Sequence, residues 1–142
     1  MKDIFLKIIG KQTVSGDEGE QIEFITEGKY YEEDSSVVLL YNESELSGIE
    51  GCVTSLRVTG DKIRMERSGG IVSMDTAIEF EKGKRFKGYY DTMFGTLEME
   101  VLTNNVKNHL KKNPAKGFLD IEYIISLKGL LESQSRLKIE IM

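Results

Sequence analysis

The chain has 142 residues, 39% of them hydrophobic and 30% charged, with a net charge of -5 from 19 basic and 24 acidic side chains. That length suits a single domain over residues 1–142, one able to bury roughly 68–70% of its unfolded surface without staples. No apolar run approaches the ~18–20 residues of a membrane span, which excludes a helical membrane protein. The acidic balance argues against nucleic acid, whose phosphates require clustered Lys and Arg.

Within the N-terminal stretch M-K-D-I-F-L-K-I-I-G-K, Lys7 interrupts an apolar run that is already short, so no secretion signal is expected. Cys52 is the single cysteine, so no internal disulfide forms, which fits a reducing cytoplasm. The basic runs Lys82-Gly83-Lys84-Arg85 and Lys111-Lys112 read as solvated turns.

Residues 4–14 alternate with period two, Ile4, Leu6, Ile8, Gln12 and Val14 against Lys7 and Lys11. Phe5 and Ile9 break the polar face, which predicts contact on both sides near the start. Ser15 to Gly19 is turn chemistry. In the run 20–32, Ile22, Phe24, Thr26 and Tyr30 oppose Glu23 and Glu27, and Gly28 predicts a bulge or sharp bend. After a break at Asp34-Ser35-Ser36, Val37 to Tyr41 is a short apolar strand. The segment N-E-S-E-L-S-G-I-E-G that follows is polar, a loop or one helical turn.

The stretch Thr54 to Gly70 is the clearest element: two strand-like runs flank Gly60-Asp61, a tight-turn signal. After the turn, Ile63, Met65 and Arg67 share the face that should look inward. A guanidinium cannot shed its proton, so an inward Arg67 requires partners. Alternation resumes at 71–81 (Met74, Thr76, Ile78, Phe80), at 85–92 (Phe86, Gly88, Tyr90, Thr92) and at 95–103 (Leu97, Met99, Val101). Asn104 to Asn113 has the chain's one helical spacing, Val106 to Leu110, closed by Pro114. Two more alternating runs finish the chain: Leu119, Ile121, Tyr123, Ile125 and Leu127, then Leu137, Ile139 and Ile141. Eight to ten strands joined by short turns, with at most one short helix near 104–113, define an all-β antiparallel meander. Closure into a barrel removes the exposed edges.

The motifs G-K-Q and G-D-E-G-E, then T-S-L-R-V, M-E-R-S-G-G, Y-Y-D-T-M-F-G and D-I-E-Y are spread over nearly the whole chain. In these the sequence resembles the YwiB-like family of small bacterial proteins, a domain of unknown function. Arg67-Ser68-Gly69-Gly70 and Tyr90-Asp91-Thr92 with Gly95 are the most specific. The resemblance implies a calycin-like β-barrel, related in shape to lipocalins and fatty-acid-binding proteins, and implies no activity.

The inward polar candidates for ligand binding are Arg67, Tyr90, Tyr123, Thr54, Gln12 and Thr92, with Thr26, Tyr41 and Thr76 on equivalent faces. A guanidinium presents two parallel donors to a carboxylate or phosphate, and tyrosines add neutral donors. One reading is therefore a non-enzymatic module holding a small anionic or amphipathic ligand by Arg67, Tyr90 and Tyr123, its apolar part against Met65, Met74 and Phe86. On that reading Arg67→Met abolishes binding and leaves stability nearly unchanged. The other reading is a filled barrel acting as a structural or protein-interaction module, in which Arg67 pairs with an internal acid or with carbonyls near Gly69-Gly70. The outward residues Phe5, Ile9, Val38 and Leu40 then form a contact patch, and a homodimer is one outcome. No catalytic residue is assigned. His109 is the single histidine, with no cysteine or second histidine near it, so no metal site or cofactor is expected. Cys52 reads as a buried, inert thiol.

Overall fold

Period-two alternation dominates the architecture, because each apolar row must reach one common interior. The computed structural model describes residues 1–14, 19, 21–43, 51–69, 76–92, 95–112, 114–127 and 131–142. The strands are β1 (Lys2–Val14), β2 (Gln21–Glu33), β3 (Ser36–Asn42), β4 (Cys52–Thr59), β5 (Lys62–Gly69), β6 (Thr76–Phe80), β7 (Arg85–Thr92), β8 (Gly95–Asn108), β9 (Lys111–Lys112), β10 (Ala115–Leu127) and β11 (Leu131–Ile141). All pairings are antiparallel, in the order β6-β5-β4-β3-β2-β1-β11-β10-β8-β7, with β9 on β10. Ten principal strands thus form an up-and-down barrel that closes through the β1–β11 ladder and leaves one unladdered seam, between β6 and β7.

Two tight hairpins stand at one end, at Asp34-Ser35 and Gly60-Asp61. Gly60 has φ 60°, as a two-residue primed turn requires at its first position. Asn108 Nδ2 donates to the Gly60 carbonyl at 2.7 Å and ties β8 to that turn. The interior towards this end is sealed: Leu39, Leu56, Ile63, Phe80, Leu119, Ile121 and Ile139 are all 0% exposed. Arg67 lies towards the opposite end, where β5 finishes at Gly69.

The structure departs from two local expectations. Residues 104–108 continue β8 and Lys111–Lys112 form β9, so this segment is strand and not helix. Glu122 faces Asn105 while Tyr123 faces Thr103, which leaves Asn104 as the extra residue of a β-bulge. The bulge shifts the inward set from Thr103 to Val106 and so breaks period two, while the Val106 to Leu110 spacing runs from β8 into the residues just past its end. Gly28, expected at a bulge, is paired without a register shift to Ile4 on β1 and Tyr41 on β3. A Cβ there would lie 2.7 Å from the Leu40 carbonyl oxygen and 2.9 Å from Leu6 Cδ1, so the glycine permits a close approach. Residues 15–18 of the turn expected at Ser15 to Gly19, the polar segment 44–50, Gly70 and Met74 lie outside the described residues.

Candidate functional site

The β4–β5 hairpin pairs Thr54 with Arg67, and β3 pairs Tyr41 with Thr54. Tyr41, Thr54 and Arg67 therefore form one inward row across three strands. The alternation of β3 runs two residues beyond Tyr41 and brings in Glu43, whose backbone N–H donates to the Cys52 carbonyl at 2.8 Å. Thr54 Oγ1 donates to Glu43 Oε1 at 2.7 Å. Arg67 Nη2 lies 3.7 Å from the same oxygen, an ion pair beyond hydrogen-bond length. The Glu43 side chain is 2% exposed and that of Arg67 is 30% exposed. Glu43 is thus the principal partner of Arg67 among the described residues. It was missed in a segment that reads as polar loop, although its even spacing from Tyr41 was a usable signal.

The cluster is incompletely satisfied. Arg67 Nε and the Tyr41 hydroxyl are buried and accept or donate no hydrogen bond among the described residues. Burial pushes the Tyr41 hydroxyl well above the usual tyrosine range, the Glu43 charge adds to this, and the Arg67 charge opposes it. Burial also raises the Tyr123 hydroxyl, opposed by Arg67 and by a hydrogen bond with Ser135. Tyr123 packs its ring on Phe80 with centroids 4.8 Å apart. Arg67 thus acts on hydroxyls from β3 and from β10, on different sides of the barrel.

Of the residues expected to bind a ligand, Arg67 and Thr54 meet here, and Tyr123 on β10 feels the Arg67 charge. Gln12 does not join them: its Nε2 donates to Ser133 Oγ at 2.9 Å, and the residue is exposed. Tyr90 and Thr92 lie on β7, and their side chains, like that of Thr76, are outside the described residues. Met65, expected against an apolar ligand, is 2% exposed and belongs to the sealed core, whereas Phe86 is half-buried. Cys52 is buried and donates its thiol to the Gly69 carbonyl at 3.4 Å. His109 stacks on Phe118 at 4.8 Å. Among the described residues no three His, Cys, Asp or Glu side chains group as a metal site, and no helix is long and apolar enough to cross a membrane.

Exposure of the inward side chains changes along the barrel. On β10, Leu119 and Ile121 are sealed, while Tyr123, Ile125 and Leu127 are half-buried. Ile22 on β2 is half-buried in the same way. Among the described residues, the inward side chains near Arg67 thus mix half-buried apolar groups with polar ones, above a filled core.

Ten antiparallel strands in a nearly closed meander define an all-β up-and-down barrel. The chain belongs to the domain of unknown function DUF1934, whose family model matches residues 6–139, and this is the YwiB-like family. The crystal structure of the ywiB protein from Bacillus subtilis is similar over 99% of this chain and 93% of that one, at 23% identity and a TM-score of 0.67. That likeness concerns the fold. No curated protein matches the chain.

Proposed function

We propose that the protein is a non-enzymatic binding module that takes a small amphipathic acid at the barrel mouth. The observation behind this reading is the pairing of a half-exposed, incompletely satisfied Arg67 with half-buried apolar side chains at the same end. Among the described residues Arg67 faces Glu43 without a hydrogen bond, which supports a role for its part-exposed guanidinium toward a carboxylate or phosphate. Ile22, Ile125 and Leu127 would take the apolar part, and the filled lower barrel restricts the ligand to the mouth. Tyr90 and Thr92 remain in the proposal as residues of the adjoining β7. The single cysteine, held as a free buried thiol, accords with a cytoplasmic setting.

Calorimetric titration with decanoate tests the reading. Glu43→Gln removes the competing carboxylate and should tighten binding, and the double variant Glu43→Gln/Arg67→Met should lose it. Equal decanoate affinity in all three proteins, or none in any, contradicts the proposal. The alternative, a protein-interaction module with no small-molecule ligand, is favoured by the apolar character of one outer face.

A further inference from the structure

Six large apolar side chains are exposed among the described residues, and four of them, Phe5 (53%), Ile25 (58%), Val53 (41%) and Met142 (62%), belong to one outer face. The registers place Phe5 opposite Glu27, Ile25 opposite Lys7, and Val53 opposite Asn42. Met142 joins them because its backbone N–H donates to the Phe5 carbonyl at 2.9 Å. The face contains a groove of about 450 Å³ whose lining includes Phe5, Leu40 and Val53. Val38, expected in such a patch, is 1% exposed and contributes no surface, and Ile9 is half-buried.

We infer that this outer face of β1 to β4 is a self-association surface whose occupant is a second copy of the chain. Three observations select that occupant. Strands β1 to β4 are each hydrogen-bonded on both sides, so no peptide can add to them as a strand, and a partner must pack face to face. The outward charges of β1 and β2 are balanced, Lys7, Lys11 and Lys29 against Asp3, Glu23 and Glu27: Asp3 pairs with Lys29, and Lys7 pairs with Glu23 at 2.9 Å. A balanced patch meets its own two-fold copy with opposite charges aligned, whereas a patch of one sign would repel itself. The exposed Phe5 ring and the groove beside it also share one face. A two-fold axis therefore seats each Phe5 in the groove of the other copy, as an isologous contact requires. Two outer sheet faces packed this way exclude water from the four exposed apolar side chains on each side.

Sedimentation equilibrium of the full chain over a dilution series, with native mass spectrometry, tests the assignment. The wild type should reach twice the 16.1 kDa chain mass. Phe5→Glu/Val53→Glu should sediment as a monomer with an unchanged circular-dichroism spectrum. Tyr89→Glu, which alters an exposed aromatic on β7, should leave the dimer intact and controls for general surface effects. A wild type that stays monomeric at its highest soluble concentration overturns the inference. So does a dimer that survives Phe5→Glu/Val53→Glu, or one that Tyr89→Glu dissolves equally. A monomer that loses a different co-purifying protein on Phe5→Glu/Val53→Glu also overturns it, by assigning the face to a heterologous partner.

Discussion

Removing Arg67 should destabilise the protein far more than removing the acid that faces it. Arg67→Met leaves Glu43, 2% exposed, as a sealed carboxylate that accepts a hydrogen bond from Thr54. Breaking a fully buried ion pair costs about 3–5 kcal/mol. Here the guanidinium is 30% exposed and stands 3.7 Å away, so the Coulombic loss is smaller and about 2–3 kcal/mol is expected. Glu43→Gln leaves a carbonyl oxygen for Thr54 and a guanidinium that can turn to solvent, which should cost under about 1 kcal/mol. In Glu43→Gln/Arg67→Met no carboxylate is stranded, so the double variant should regain at least about 1 kcal/mol over Arg67→Met alone. The assay is urea unfolding followed by circular dichroism, with thermal midpoints as a check at about 2–4 °C per kcal/mol. If Arg67→Met unfolds within about 0.5 kcal/mol of wild type, or Glu43→Gln is the more damaging change, the reasoning fails. The expectation that Arg67→Met leaves stability unchanged is thereby revised, because the partner acid is more deeply buried than the arginine.

Other substitutions probe the frame. Gly28→Ala must push against a backbone oxygen 2.7 Å away and should lose about 1–3 kcal/mol in the same unfolding assay. Tyr41→Phe deletes a buried hydroxyl that makes no well-formed hydrogen bond among the described residues, so it should be neutral or stabilising by up to about 1 kcal/mol; a clear loss would mean that the hydroxyl is engaged. Hydrogen bonding from Arg136, at 3.0 and 2.7 Å, holds the Asp120 carboxyl below its ordinary range. Its folded pKa lies below the unfolded one, so the stabilisation is present above about pH 4 and is lost as pH falls through the folded value. Arg136 is half-exposed, so the effect should be roughly 1 kcal/mol, and Asp120→Asn should flatten the acid limb of stability against pH. On alkaline titration followed by phenolate absorbance, Tyr41 and Tyr123 should ionise later than the exposed tyrosines, and unfolding should abolish the lag.

The barrel was legible because nearly every strand carries an unbroken alternating row, as in Leu97, Met99 and Val101 or Leu119, Ile121 and Tyr123. Those rows state which face is inward before any pairing is known. The misread segment is instructive. A bulge at Asn104 and a helix both break period two, and local spacing cannot separate them, because the bulge is defined by the partner strand. Gly28 marks a contact with Leu6 and Leu40, and no local signal distinguishes such a contact from a bend. At the site, the inward Arg67 was readable from Ile63 and Met65 alone. Its partner Glu43 is easily overlooked, because it lies past the end of β3 in a polar segment, where only its even spacing from Tyr41 declares its direction. Gln12 shares the parity of Leu6 and Ile8, yet it lies near the end of β1, where its contact is Ser133 and not the cluster. Parity gives the face of a side chain, and the register across several strands decides which of those side chains meet.

The central claim, an acid-binding mouth anchored by Arg67, is tested most directly by backbone amide NMR during titration with decanoate. The account predicts saturable shifts at Arg67, Thr54, Tyr123, Ile22 and Leu127, with the hairpins at Asp34-Ser35 and Gly60-Asp61 unmoved. Shifts confined to the outer face around Phe5 and Val53, or an unchanged spectrum at saturating decanoate, would contradict it.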